Sequence, residues 1–409
     1  MAQSSPESSV TSHKLGQHAA FLEQQADVLF SAGDLWGAEA LMTRAAPIWS
    51  RSGNLAREAQ NAHTTGFLRY KLSRHQDAIE TYMQAQRIRL ELQDFVGWAT
   101  SACRCAEVYQ HLSDHRNAIR LLNCAVPYWE KSGKTKELGT TFNNIGVSYT
   151  ALGLTAVARS YHEKALALRR RIGDQDGLAV SLHNLGALLL EKKDSEAAFS
   201  CLRQAAELYR AKQARGALGR VLLHIGVWHE QTGDTEEAMQ CYEQAWEHAT
   251  APDVDNPADE AAALNNLGAL EAATGDTARG MRLLEQARRI FRQLGKTEGL
   301  ASASYHYGVA QCKLGATREA ASALREAEQL YKKTGDQAGE AAALIAIANI
   351  ASQHGLQPLA YDLLMQAGKL QKAMPDRQSY ARTQQLLAGI CELQGREEQA
   401  DHFRRLASV

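Results

Sequence analysis

Asn143-Asn144, Asn184 and Asn265-Asn266 stand inside segments of helical period, where a straight-chain residue would cost less by tenths of a kcal/mol (about 0.1–0.5) each. A side-chain amide carries one acceptor and two donors. That chemistry suits holding the backbone of an extended or helical segment, not breaking bonds. His183, His224, Tyr305 and His306 fall at corresponding places along the chain. Neither His224 nor His306 has a His, Cys or carboxylate at ligand spacing on its own helix, so groove-lining or packed rings are expected, not metal ligands or general bases. No nucleophile–base pair, phosphate loop or metal spacing stands elsewhere, and the sequence therefore predicts neither an enzyme nor a bound cofactor.

Composition narrows the partners. The 409 residues are 45% hydrophobic and 22% charged, with a net charge of −1. That is too apolar for general disorder and too neutral for a nucleic-acid or anionic-membrane surface. No apolar run is long enough to span a bilayer. The densest basic run, Arg169-Arg170-Arg171, reads as a solvated helix end. Seven cysteines without a CxxC pair point to a reducing, cytoplasmic setting. Cys103 and Cys105 would point about 200° apart on a helix, so buried packing is expected of them. Residues 1–12 read as a disordered tail, and Met1 to Val10 lack the apolar core of a secretory signal.

What must position these side chains is a repeat. Aligned on Gly33, ten equivalent positions appear: Gly33, Ser73, Ser113, Gly153, Lys193, Gly233, Gly275, Gly315, Gly355 and Gly395, a period of 40 with one step of 42. Five residues after each anchor stands Ala, or Gly280 once; twelve after it Ala occurs every time, from Ala45 to Ala407. Seven before it runs a row of Gly or Ala that includes Gly66, Gly146, Gly186, Gly226, Gly268 and Gly308.

Each unit reads as two amphipathic helices joined at the anchor, since apolar residues such as Leu182, Leu185, Leu188 and Leu189 recur at three- and four-residue spacing. Glycine closes the first helix in the left-handed conformation, and Asp34, Asp114, Asp234 or Asp276 is expected to cap the second. The small rows let the paired helices approach closely.

This pattern resembles the tetratricopeptide repeat family over residues 13–409. The resemblance is carried by Leu185-Gly186 and Leu267-Gly268 in first helices, and by Ala238, Tyr82, Tyr242 and Ala245 in second helices. Two departures stand out. The period is longer than the family's usual one, and the closing proline is replaced by Gly173-Asp174, Gly295-Lys296 or Gly335-Asp336. Such long units look like those of Leu-Gly-Asn-type adaptors and of sensory regions in some bacterial regulators. The resemblance implies an all-α, right-handed superhelical solenoid of about ten helix-turn-helix repeats, continuous from residue 13 to 409.

In such a solenoid the first helices line a concave groove, and the resemblance places the inward side chains two and three residues before the small row. The inward set there includes Asn143, Asn144, His183, Asn184, His224, Asn265, Asn266, Tyr305 and His306, in repeats four to eight. The amides either grip a peptide or bond to the neighbouring repeat. The row two before the small residue turns apolar at Ala346 and Leu386. A set of Lys and Arg gripping a terminal carboxylate is not expected, because only Arg104 stands in these rows.

Two irregularities remain. Pro47 and Pro127, each two before a Trp, share a position inside second helices and should bend them. Residues 250–257 carry the insertion and read as a looser joint. The expected function is a non-enzymatic scaffold or adaptor binding a peptide segment of a partner protein. The alternative is a regulatory or sensor module answering a peptide or small molecule. The partner and the oligomeric state are not fixed by the sequence.

Overall fold

The computed structural model describes residues 6–191, 195–254, 256–374 and 376–408. Among the described residues the chain is twenty α-helices and no strand. It divides into two compact units, residues 1–208 and 209–409.

The first unit contains α1 (Pro6–Ser31), α2 (Leu35–Ser52), α3 (Leu55–Lys71), α4 (His75–Glu91), α5 (Phe95–His111), α6 (His115–Ser132), α7 (Thr135–Ala151), α8 (Thr155–Ile172) and α9 (Gln175–Glu191). Helix α10 (Ser195–Ala211) runs past the boundary. The second unit contains α11 (Arg215–Thr232), α12 (Thr235–Ala249), α13 (Pro257–Thr274), α14 (Thr277–Gln293), α15 (Thr297–Lys313), α16 (Thr317–Thr334), α17 (Gln337–Gln353), α18 (Gln357–Lys372), α19 (Arg377–Leu393) and α20 (Glu397–Ala407). In each unit, helices consecutive in sequence pack on one another. First helices of successive repeats also touch, as α3 does α5, α5 does α7, α13 does α15 and α15 does α17. This is the pairwise stacking of a helical solenoid.

The small rows have a visible cause. The first-helix glycine leaves space for the side chain sixteen residues on. A Cβ at Gly146 would stand 2.7 Å from the His162 ring, and one at Gly186 would stand 2.7 Å from Leu202. On the second helices Ala38, Ala78, Ala118, Ala158, Ala238 and Ala320 are fully buried, as are Ala45, Ala85, Ala125 and Ala165. The core is therefore a line of Ala contacts flanked by larger residues, close-packed along each unit.

The corners follow the expected chemistry with three departures. Gly33 and Gly153 take left-handed φ values of 86° and 72°, while Ser73 and Ser113 adopt the same conformation at φ 60° without being glycine. Gly275 does not adopt it; its φ is −154°. Asp34, Asp114 and Asp276 cap α2, α6 and α14 by accepting from Gly37, Asn117 and Arg279 N–H. Asp234 does not cap α12: its carboxylate instead accepts from the Thr232 hydroxyl and lies 3.5 Å from His229 Nδ1.

Arg169 corrects the expectation of a solvated basic run. It is 3% exposed, with only Arg170 and Arg171 left outside. Helices α2 and α6 run through Pro47 and Pro127 unbroken. Helix α1 begins at Pro6, inside the segment expected as a tail, and the Lys193 anchor lies outside the described residues. The stretch 250–257 falls within the second unit, and one buried cluster crosses it, joining Ala238 and Tyr242 of α12 to Ala261, Leu264 and Leu267 of α13. The Arg215–Asp253 ion pair, at 2.8 Å, also holds it. No helix among the described residues is long and apolar enough to cross a membrane.

Candidate functional site

The first-helix positions split by row. In the first four repeats the residue three before the small position bonds to the following repeat. Glu23 accepts from Asn61 at 3.0 Å, His63 Nδ1 lies 3.0 Å from Ser101 Oγ, Cys103 Sγ lies 3.5 Å from Thr141 Oγ1, and Asn143 Oδ1 accepts from Ser181 at 3.2 Å. Each of these pairs is separated by 38 residues. A polar ladder therefore ties repeat to repeat in the first unit. Its partners, Ser101, Thr141 and Ser181, went unnoticed in the sequence, although the fixed spacing is legible there.

Asn143 is thus buried between repeats, where it also accepts from Asn184 Nδ2 at 3.1 Å. Asn265 is buried too; its amide donates to Ser302 Oγ at 3.3 Å and to Asn266 Oδ1 at 3.1 Å. Its own Oδ1 has no hydrogen-bond partner among the described residues. A buried acceptor left in that state costs about 1–3 kcal/mol.

The residue two before the small position stays half-buried: Asn144, Asn184, His224, Asn266 and His306. Asn144 lines a cleft of about 310 Å³ with Arg104, Glu107, Lys136 and Thr140, and its backbone carbonyl accepts from Gln110 at 2.8 Å. His224 Nδ1 lies 3.0 Å from the Arg220 carbonyl of its own helix. His183 is half-buried on α9. Tyr305 packs edge-on against His306, ring centroids 5.3 Å apart. Burial lowers the His306 pKa to about 4 and raises that of Tyr305. His306 is therefore neutral at pH 7 and can offer both a donor and an acceptor.

Of the residues expected to share a site, the structure joins Asn143 with Asn184, Asn265 with Asn266, and Tyr305 with His306. Asn144 lies in the first unit's polar cleft. A cleft of the second unit, about 580 Å³, lies further along than expected, between α15, α17 and α19, and includes only Tyr305 from the expected set. Its walls are mostly apolar: Val309, Ala342, Ile345, Ile350 and Leu386. The turn from Asn and His to Ala346 and Leu386 in the sequence marks this place.

Other buried polar groups stiffen the repeats. Arg169 Nη1 donates to the Gly177 carbonyl at 2.6 Å and to Ser181 Oγ at 2.5 Å, which joins the ladder to the second helix. His162, on α8, is 1% exposed, and burial with the nearby Arg169 charge lowers its pKa to about 4. Burial pushes the Cys105 thiol up to about 12, so it is an inert, packed thiol. Cys103 is half-buried, and its thiol is also raised by burial.

Comparison with known families decides the kinship. Two family models, each described as tetratricopeptide repeat, match residues 99–171, 137–211 and 259–333 and residues 219–247, together over half of the chain. The chain belongs to the tetratricopeptide repeat family. Its solved structural relatives share the fold. The apo form of the quorum sensor NprR from B. thuringiensis superposes with a TM-score of 0.60 at 16% identity, covering 83% of this chain and 97% of that one. The apo form of RapI gives 0.57 at 14% identity, covering 68% and 99%. A signal-transduction ATPase with numerous domains and a tetratricopeptide repeat sensor, from Pyrococcus horikoshii, gives 0.55 at 13%, covering 81% and 52%. No curated protein matches the sequence. The tetratricopeptide repeats account for the helix pairs, the small rows and the first-helix face.

Proposed function

We propose that this tetratricopeptide repeat chain is a non-enzymatic interaction module that binds a peptide segment of a partner protein along its first-helix face. The observation that supports this is the division of labour between the two rows. Asn143 and Asn265 are consumed between repeats, whereas Asn144, Asn184, His224, Asn266 and His306 keep part of their surface open at equivalent positions. Amides and imidazoles at equivalent positions of the repeats within each unit match the donors and acceptors of a peptide backbone. A scaffold or adaptor role follows from this reading.

A sensor role is the second reading. It draws on the mostly apolar cleft of the second unit, of a size that suits a small ligand or a side chain. Two relatives of the same fold are described as a quorum sensor and as carrying a repeat sensor.

Selection of displayed random peptides on the native chain and on an Asn144→Ala/Asn184→Ala/Asn266→Ala variant tests the groove. Enrichment on the native chain that is lost on the variant, with helicity unchanged by circular dichroism, is expected. Equal enrichment on both would remove the amides from the site. Asn143→Ala serves as the control, expected to lower the melting temperature while leaving enrichment intact.

A further inference from the structure

Phe21 and Val28, on α1, are 56% and 66% exposed. Their counterparts in later repeats are not. The place of Phe21 is taken by Asn61, Ser101, Thr141 and Ser181, and that of Val28 by Leu68, Val108, Ser148 and Leu188, none of them more than 2% exposed. These positions are what a first helix presents to the repeat before it. Ser101 and Ser181 accept from Arg89 of α4 and Arg169 of α8, and Ser148 accepts from Gln110 of α5. On α1 the same face lies open, and it carries a phenylalanine where every later repeat has a smaller residue.

The last helix is finished differently. Arg404 of α20 takes the place of Leu284, Leu324 and Leu364, and its guanidinium pairs with Glu392 and Asp401. A terminal repeat with a polar outer face is soluble by itself. The apolar pair on α1 gives no such finish, so that face calls for a cover.

The open stripe complements itself. Lys14, Phe21 and Val28 follow one another at two-turn intervals, and all are exposed. Phe21 and Val28 stand equally far on either side of the exposed pair Gln24-Gln25. A second α1 laid antiparallel about a twofold axis at that pair sets each Phe21 against the other copy's Val28. The glutamine amides then meet one another, each able to donate and to accept. Lys14 of one copy reaches the end of the other α1, where Asp34 stands exposed. A parallel pairing would instead set Lys14 against Lys14 and Asp27 against Asp27, like charges opposed. Glu23 takes no part, because Trp49 and Asn61 already donate to it. A contact in which each residue meets the other's counterpart closes at two copies.

We propose that the chain forms a twofold homodimer through antiparallel α1 helices, Phe21 of each copy packed against Val28 of the other. This surface is separate from the amide row of repeats four to eight, and the dimer does not depend on that row binding a peptide.

Sedimentation of the full chain tests it. The native chain is expected to have twice the 44.8 kDa mass of one copy at micromolar concentration. Phe21→Asp and Val28→Asp should each raise the dissociation constant at least tenfold. Both side chains are exposed, so helicity by circular dichroism should not change. Cross-linking reads the alignment in a Cys124→Ser/Cys312→Ser background, which removes the two exposed thiols. A Phe21→Cys chain mixed with a Val28→Cys chain should form disulfide-linked dimers under mild oxidation, and the Phe21→Cys chain alone should not. A native chain that stays monomeric at tens of micromolar would overturn the proposal and leave the face to a different protein. So would a dimer that neither aspartate weakens. Cross-linking of the Phe21→Cys chain to itself would overturn the antiparallel alignment.

Discussion

Arg89 and Arg169, two repeats apart, make the same set of bonds. Nη1 of each donates to the carbonyl of a glycine eight residues on, Gly97 or Gly177, at 2.6 Å, and to Ser101 or Ser181. Nη2 of each reaches back to the preceding first helix, to Gln60 at 3.0 Å and to Thr140 at 3.2 Å. Trp49 and Trp129 occupy the equivalent position in the alternate repeats, so the first unit is built from a two-repeat module.

Replacing either arginine by methionine should destabilise the fold, and not equally. The nearby carboxylate Asp94 has a side chain 49% exposed, whereas that of Asp174 is 8% exposed. Removing Arg169 leaves the buried Asp174 carboxylate with only the Lys136 ammonium at 4.0 Å and the Gly177 N–H, at a cost of at most about 3–5 kcal/mol, and removing Arg89 should cost less. Urea melts of Arg89→Met and Arg169→Met check the order; equal losses would contradict it.

The His162 ring stands where other repeats place Leu122, Leu202, Leu284 or Leu324. Its Nδ1 has no hydrogen-bond partner among the described residues. Its pKa falls from the ordinary 6.5 to about 4 in the fold. Between those values the unfolded chain binds the extra proton, so stability from the neutral ring is whole above pH 6.5 and lost as pH falls toward 4. His162→Leu should therefore stabilise, by about 1–2 kcal/mol at pH 5 and by less at pH 8. Thermal melts at the two pH values would expose the difference; an identical gain at both would exclude the titration.

Ser73, Gln93, Ser113 and Gln213 hold left-handed backbone at φ 55–60°, a conformation that costs a side-chain-bearing residue about 1–2 kcal/mol. Part of that gain is offset by the greater unfolded-state entropy of glycine. Ser73→Gly and Gln213→Gly are each expected to add about 0.5–1 kcal/mol by chemical denaturation. A loss in both would place the strain elsewhere.

Gly226 and Gly389 are both helical glycines and should respond in opposite directions. A Cβ at Gly226 would run into the Tyr242 ring, while one at Gly389 meets nothing within 4 Å. Gly226→Leu, like Ala245→Leu at a fully packed position, should cost about 1–3 kcal/mol. Gly389→Ala should gain about 0.5–1 kcal/mol from helix propensity. Melting temperatures that move together would contradict the packing.

The period of 40, the small rows and the glycine corners were legible in the sequence because each is local or strictly periodic. A helix pair needs its turn residue and its Gly or Ala crossing at fixed offsets, and ten copies make the offsets plain. The fate of individual polar side chains was not legible. Asn143 and Asn144 are neighbours of one type, yet one is buried against Ser181 and Asn184 and the other lines a cleft. One residue's step around a helix, about 100°, separates the face that meets the next repeat from the face that stays open. Arg169 looked like its exposed neighbours Arg170 and Arg171 for the same reason. The 580 Å³ cleft comes from three first helices and the end of a second one meeting in space. Repetition in the chain determined which helices stack, and the tertiary structure alone decided which polar atoms the stacking consumed and which it left open.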